Sequence, residues 1–319
     1  MFKEWRRWVY WLVVLELVSV VAFIGLLLLG ETRRLTLIAM YLPRLPLLLA
    51  TLAGGAAAKL GRRRVRELVA ANVVLGLIVL FPVMGFTVSS SNDLDKPIRL
   101  TTYNVWFGRA GRPQLVEELV AMPADILLIQ ASYGSLGETL KKRLPDREIR
   151  EDEELTIVSR WPIRDTFLPP PLKGTDVDSM FAKYVIDTPQ GALRLVSLHA
   201  YSPRHALGGA DDARENIASR EAQVHDAVTA AREDVPPFIV AGDTNLPAMS
   251  AIRRRQLGGL HDAFDEVGTG FGYTFPANHP WMRIDRVLAS DGVKFGTIEV
   301  APQGASDHRA VTVTFSLSP

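Results

Sequence analysis

Phe238-Ile239-Val240-Ala241-Gly242-Asp243-Thr244-Asn245 is the stretch on which the reading of this chain turns. Its first four residues are continuously apolar, as in a strand covered on both faces. A glycine and three polar residues follow, so an aspartate and an asparagine are delivered at a strand end. Four other strand ends in the same part of the chain behave alike. Thr102-Tyr103-Asn104-Val105-Trp106 closes a run at 98–104, and Ser197-Leu198-His199-Ala200-Tyr201 closes one at 193–199. Arg283-Ile284-Asp285 opens a run at 284–289, and Ser306-Asp307-His308 precedes the last, at 311–317. A lone His or Asp in such a place is usually a turn or capping residue. Five such segments together point to a site.

Working outward, further β-rich runs lie at 126–130, 155–159, 183–187 and 294–300, and helical stretches at 112–121, 135–143, 211–232 and 248–257. In the longest helix Ala213, Ile217, Val224, Val228 and Ala231 recur at helical spacing and form one inward face. Arg220 shares that face, so it is either a packed ion pair or a group aimed at a site beside the helix edge. Strands and helices mixed in this order indicate an α/β or α+β layered domain.

The matching segments TTYNVW, ADILLIQ, SRWPI, VSLHAYSP, the REAQ beginning at Arg220, AGDTN, GYTFP, RIDRVL and SDH resemble, in order and spacing, the endonuclease/exonuclease/phosphatase superfamily. Pancreatic deoxyribonuclease, apurinic endonucleases, neutral sphingomyelinases and inositol-phosphate phosphatases belong to it. The resemblance implies an α/β four-layer sandwich, two facing β-sheets with outer helices, that hydrolyses a phosphate ester with Mg2+ or Mn2+ at one edge. It gives Asp243 the attacking water, with Asn245 helping to hold water and phosphate. Asn104 would contact the phosphate or the metal, and Asp307 would be a metal ligand. His308 would donate to a phosphoryl oxygen, with Asp285 accepting from its other ring nitrogen, and His199 would be a second donor. Arg220 and Tyr201 complete the expected phosphate-binding set. The chemistry agrees: water attacking an anionic phosphoester needs a positioned nucleophile and charge neutralisation by a divalent ion and imidazole donors. The chain has no cysteine, no GxSxG elbow and no Walker-type loop to offer a rival nucleophile or phosphate cradle.

One departure stands out. After ADILLIQ the family places a glutamate, its principal metal ligand, and here that position is Ala131. Three readings stay open. Metal could be held by Asp307 with Asn104, Gln130 and substrate oxygens. One of the acidic residues Glu138, Glu151, Asp152, Glu153 or Glu154 could substitute. Alternatively the domain is a catalytically weak or inactive binding module.

The first part of the chain is unlike the rest. Residues 8–29 form an almost unbroken apolar run of 22, long enough at about 1.5 Å per residue to cover a hydrocarbon core of about 30 Å. Residues 68–88 form a second run, and 35–58 a third interrupted by Pro43, Arg44 and Pro46. About three spans are expected in residues 1–88, with two helices and an extramembrane loop as the alternative. Residues 89–97 then form a polar linker to the domain at 98–319. Lys3, Arg6 and Arg7 precede the first span, and Lys59, Arg62, Arg63, Arg64 and Arg66 lie between the second and third. The positive-inside rule therefore puts the N-terminus in the cytoplasm and the C-terminal domain in the periplasm or outside the cell. Glu16 interrupts the first span, as a functional group or as a protonated side chain packed on another helix.

The net charge of +1 is a cancellation: residues 1–88 hold eleven basic and four acidic side chains, the remainder 25 basic and 31 acidic. An apolar content of 48% excludes a disordered chain, and the absence of cysteine excludes a disulfide scaffold. The acidic C-terminal part has only two short basic clusters, Lys141-Lys142-Arg143 and Arg253-Arg254-Arg255, so no stripe for tracking duplex DNA is evident. Expected partners are the bilayer and a phosphoester substrate: a phospholipid head group, nucleic acid or small phosphodiester. No protein partner is expected. Trp106, Tyr201, Tyr273 and Trp281 fit a substrate cleft or ordinary packing equally well, and Pro169-Pro170-Pro171 reads as a stiff surface connection.

Overall fold

The computed structural model describes residues 2–59, 65–170, 180–233 and 237–318. Arg62, Arg63, Arg64 and Pro171, on which the loop-charge and surface-connection readings partly rest, lie outside the described residues. The chain divides into a helical unit, Met1–Phe86 with Ala248–Ala251, and a second unit formed by Thr87–Pro247 and Ile252–Pro319.

In the helical unit α1 (Phe2–Leu28) is an unbroken helix of 27 residues. α2 (Arg34–Met40) and α3 (Leu45–Ala58) meet at a bend of 75°. Pro43 lies in the break, and the residue before a proline is driven out of helical geometry. The expected span at 35–58 is therefore a broken helix. α4 (Val65–Ile78) continues into a π turn at Val79–Val83, where Pro82 withholds one backbone donor. Glu4–Leu28 and Arg66–Val83 are each long and apolar enough to cross a membrane, with mean hydropathies of 2.6 and 1.9; the bent pair makes a third only if both pieces count as one span. Met249 packs in this unit with Leu27, Ala39, Met40 and Val83. The Glu31 carboxylate accepts from the Ala251 amide at 2.8 Å.

The second unit runs β1 (Thr87–Val88), β2 (Ile98–Asn104), α5 (Arg112–Ala121), β3 (Ile126–Gln130), α6 (Leu136–Arg143), β4 (Glu148–Asp152), β5 (Leu155–Ser159), β6 (Ile163–Phe167) and β7 (Phe181–Thr188). It continues with β8 (Gly191–His199), α7 (Ala210–Arg232), β9 (Phe238–Asp243), β10 (His261–Asp262), α8 (Ala263–Val267), β11 (Thr269–Gly270), β12 (Asp285–Ala289), β13 (Val293–Val300) and β14 (Val311–Leu317). The helix expected at 248–257 is instead a π turn at Arg253–Leu257.

Two six-stranded sheets result, in the orders β13-β14-β2-β3-β5-β4 and β10-β12-β9-β8-β7-β6. Their inner faces share one core that includes Leu100, Leu128, Leu195, Ile239, Val287 and Phe315. Outside the second sheet, Val224, Val228 and Ala231 of α7 cover Val196, Leu198 and Val240. Outside the first, Leu115 and Leu119 of α5 and Leu136 and Leu140 of α6 cover Tyr103, Ile129 and Val158. Both faces of the central strands are thus apolar, which is why all six residues of β9 are buried and why its sequence does not alternate. This is the four-layer α/β sandwich expected from the sequence.

Candidate active site

Strand register assembles the site. β8 and β9 run parallel and β12 antiparallel to β9, so His199, Asp243 and Asp285 stand in one row across their sheet. In the other sheet Asn104 and Gln130 pair at the ends of the parallel strands β2 and β3. β14 runs antiparallel to β2, which returns the Ser306-Asp307-His308 loop to the same edge. There Ser306 Oγ donates to the Asn104 carbonyl at 2.7 Å and accepts from the His308 amide at 3.2 Å. Glu118 of α5 steadies the preceding turn by accepting from the Ala305 amide at 2.7 Å. Gly242 has φ 142°, and a Cβ on it would lie 1.9 Å from the Leu198 carbonyl oxygen. Only glycine lets β9 come this close to β8 just before Asp243.

Asp243 is the centre of the cluster. Its Oδ1 accepts from the Asn245 amide at 2.8 Å, and its Oδ2 from Asn104 Nδ2 at 2.9 Å and Asn245 Nδ2 at 3.3 Å. His199 Nε2 and His308 Nε2 approach that same Oδ2 to 3.8 and 3.7 Å. Those separations exceed a hydrogen bond and suit an intervening substrate or water oxygen. Each ring is held from behind. His308 Nδ1 donates to both oxygens of Asp285, at 3.1 and 2.9 Å, and His199 Nδ1 donates to Glu154 Oε1 at 2.5 Å. A carboxylate on Nδ1 fixes the ring's orientation and supports its charged form.

Burial opposes charge on His308, but Asp285, Asp243 and Asp307 outweigh it and hold the imidazole up to about 9. His199 is likewise raised: burial and His308 oppose the charged form, and Glu154 and Asp243 prevail. Burial, with Asp285 adding to it, pushes Asp243 up against the pull of His308, His199 and the Asn245 amide. At neutral pH the site therefore presents His308 as an imidazolium.

The structure brings together Asn104, His199, Asp243, Asn245, Asp285 and His308, with Asp307 beside them: Asp307 Oδ1 lies 4.0 Å from His308 Nε2 and Oδ2 lies 3.7 Å from Arg204 Nη2. Gln130 is used elsewhere. Its Oε1 accepts from Thr102 Oγ1 at 3.1 Å and its Nε2 donates to Ser197 Oγ at 3.2 Å. Arg220 is fully buried and donates to the Asn245 carbonyl at 3.4 Å, behind the turn that carries Asp243. The Tyr201 ring stacks on His205 at 4.7 Å, and its amide donates to Gln223 Oε1 at 2.7 Å.

Ala131 is buried, with φ 50°, and its carbonyl accepts from the Phe107 amide at 2.7 Å. Among the acidic candidates Glu154 is the one that reaches the cluster, through His199. The Glu154 carbonyl also accepts from the Ser132 amide at 2.9 Å, which sets it beside the residue following Ala131. Glu151 lies against Gly137 of α6, and Asp152 accepts from the Tyr184 hydroxyl at 3.0 Å. Sequence reasoning did not assign the Glu154 partnership, Arg204 or the Phe275 ring, which packs 4.7 Å from the His308 ring. Phe275 lies in the Gly272–Pro276 loop read as supporting the site; the other two carried no signal beyond an acidic run and a basic residue near a histidine.

A hard divalent ion takes oxygen ligands. Asp307 Oδ1 is buried and accepts no hydrogen bond among the described residues, the condition expected of an atom that a cation would satisfy. Asp243, Asp285 and His308 also offer ligand atoms lying within 4.8 Å of one another. Asn104 Oδ1 already accepts from the Trp106 amide at 3.0 Å, and the Gln130 amide is engaged at both ends. Of the expected metal set, Asp307 is the member with an unused oxygen.

A model of the Endonuclease/Exonuclease/phosphatase family matches residues 101–308. No curated protein matches the chain. Among solved structures, D. rerio TDP2 humanized by 14 mutations is 20% identical with a TM-score of 0.56, over 70% of this chain and 100% of that one. A mannosyl-6-phosphatase from Bacteroides thetaiotaomicron is 18% identical with a TM-score of 0.54, over 69% and 100%. An endonuclease/exonuclease/phosphatase from Beutenbergia cavernae is 17% identical with a TM-score of 0.53, over 70% and 72%. At these identities the likeness is one of fold.

Proposed function

The chain belongs to the endonuclease/exonuclease/phosphatase family, and on that premise we propose that it is a membrane-anchored, divalent-metal-dependent phosphoester hydrolase acting outside the cytoplasm. One observation carries the reading: Asp243 Oδ2 faces two imidazole nitrogens at 3.7 and 3.8 Å, each imidazole backed by a carboxylate. Asp243 orients the attacking water and receives its proton, while the amides of Asn104 and Asn245 keep the carboxylate turned toward it. His308, kept charged by Asp285, donates to a phosphoryl oxygen as negative charge builds, and His199 donates to a second oxygen. Mg2+ or Mn2+ held by Asp307 would neutralise charge on the phosphate. Glu118 and Ser306 keep the loop bearing Asp307 and His308 in place.

The outward side chains of the helical unit support an anchor, since Trp8, Leu12, Leu15, Leu52 and Val73 are each more than half exposed. With three spans, the basic loops fall on one side and the sandwich on the other. The substrate panel comprises phospholipid head groups, nucleic acids and small phosphoesters, and a sugar phosphate belongs in it because a neighbour in fold is named a mannosyl-6-phosphatase.

The test is turnover of that panel by the full chain in detergent with Mg2+, Mn2+ or chelator. Asp243→Asn is expected to cost at least about a hundredfold in rate, the loss of one acid–base group. An unchanged rate refutes the assignment. The second reading, a binding module without turnover, is favoured by Ala131. Calorimetry without divalent binding, together with no turnover across the panel, would establish it. Ala131→Glu separates the two, because a large gain in metal affinity and rate means that the rest of the site was already in working geometry.

A further inference from the structure

In the helical unit two helices bring polar side chains over the bare backbone of a third. A Cβ on Gly54 of α3 would lie 2.5 Å from Glu16 Oε2 of α1 and 2.6 Å from Asn72 Oδ1 of α4. Both oxygens therefore come in over the bare backbone of Gly54, a position no larger residue could hold without displacing them. Asn72 is 2% exposed. Its Nδ2 donates to the Leu68 carbonyl at 3.0 Å, and a carbonyl only accepts, so the amide cannot be turned round without setting two oxygens face to face. Asn72 Oδ1 is thereby fixed toward Glu16, and among the described residues neither it nor either Glu16 oxygen has a hydrogen-bond donor. Two facing acceptors withdrawn from water repel one another unless a positive particle joins them.

We propose that this is a proton-binding site: Glu16 carries a proton and donates it to Asn72 Oδ1, joining α1 to α4 across the Gly54 face of α3. Apart from Glu16, the charged side chains on the surrounding helices are placed at their ends. α3 carries none between Leu45 and Ala58, with Arg44 just before it donating to the Met40 carbonyl; α4 has Arg66 and Glu67 in its first turn; α1 has Lys3, Glu4, Arg6 and Arg7 at its start, and Tyr10 as a further titratable group before Glu16; α2 begins with Arg34. A proton is the smallest cation that can join two oxygens that meet over one glycine, and it leaves the pair neutral between apolar helices. The site lies in the helical unit, so its fate is separate from that of the phosphoester centre.

Infrared spectroscopy of the full chain in detergent micelles at neutral pH tests it, because a protonated carboxylic acid has a carbonyl band that a carboxylate lacks. The expected result is a band lost in Glu16→Gln and shifted upward in Asn72→Leu, where the acceptor is gone. Glu16→Gln should keep the melting temperature, since its amide can donate to Asn72 Oδ1, and Glu16→Ala should lower it. A spectrum from which Glu16→Gln removes no acid band overturns the proposal. So does a melting temperature that rises with sodium concentration in the parent chain and not in Glu16→Gln, which would assign the site to a metal ion. If Glu16→Gln fails to fold, the band in Asn72→Leu decides, and an unshifted band overturns it.

Discussion

The two carboxylate–imidazole pairs around Asp243 do the same kind of work with unequal construction. Asp285 opens a strand, sits in register with Asp243, and grips His308 with both oxygens; the two side chains are 1% and 7% exposed. Glu154 stands in the turn between β4 and β5, follows Glu153 at φ 55°, and holds His199 with one oxygen; these side chains are 18% and 13% exposed. A longer side chain on a turn has more rotamer freedom to lose, and partial exposure lets water compete for it. The sheet-borne pair is thus the rigid electrostatic element of the site and the turn-borne pair the adjustable one.

The sharpest way to break that contrast is kinetic. Asp285→Asn should lower kcat by about a hundredfold or more, whereas Glu154→Gln should cost about tenfold, both at the scale of acid–base contributions. Equal losses in steady-state assays would erase the distinction. Titration comes next. In the metal-free full chain, NMR of the imidazole protons should place His308 near 9, and Asp285→Asn should bring it down. Because the folded value is raised, the interaction contributes stability in full below the unfolded value of about 6.5 and loses it as pH rises through about 9. A midpoint unmoved by Asp285→Asn would show that Asp243 and Asp307 alone hold the charge. The smallest effect is thermal. Glu154→Gln keeps an acceptor for His199 at a partly exposed place and should cost under about 1 kcal/mol. Asp285→Asn leaves a buried imidazole short of its counter-charge and should cost about 1–3 kcal/mol by calorimetry.

The same division explains what could be read from sequence. His199, Asp243, Asp285 and His308 are each next to or within an apolar strand, so local pattern located them and the register of a layered sandwich brought them together. Glu154 sits at the end of the acidic run 151–154, where local pattern does not distinguish its four members. Its role is decided by the path of the β4–β5 turn. Gln130 was expected to face the metal, and the structure records its amide between Thr102 and Ser197, contacts contributed by two other strands. In the helical unit Pro43 and Pro46 signalled an interruption, and the 75° bend that resulted depends on packing that composition does not encode.

Ala248–Ala251 gives this chain an order of assembly. The helices are complete once Phe86 has been synthesised, yet the residues that pack with Leu27 and bond to Glu31 leave the ribosome only after β9 and its Asp243 have been made. The helical unit is written in two distant places, so no single cut separates it cleanly. A chain started after Phe86 would carry Met249 without its apolar neighbours and an Ala251 amide without its acceptor, only a few residues beyond Asn245. Its defects would be concentrated just downstream of the turn that carries Asp243 and Asn245.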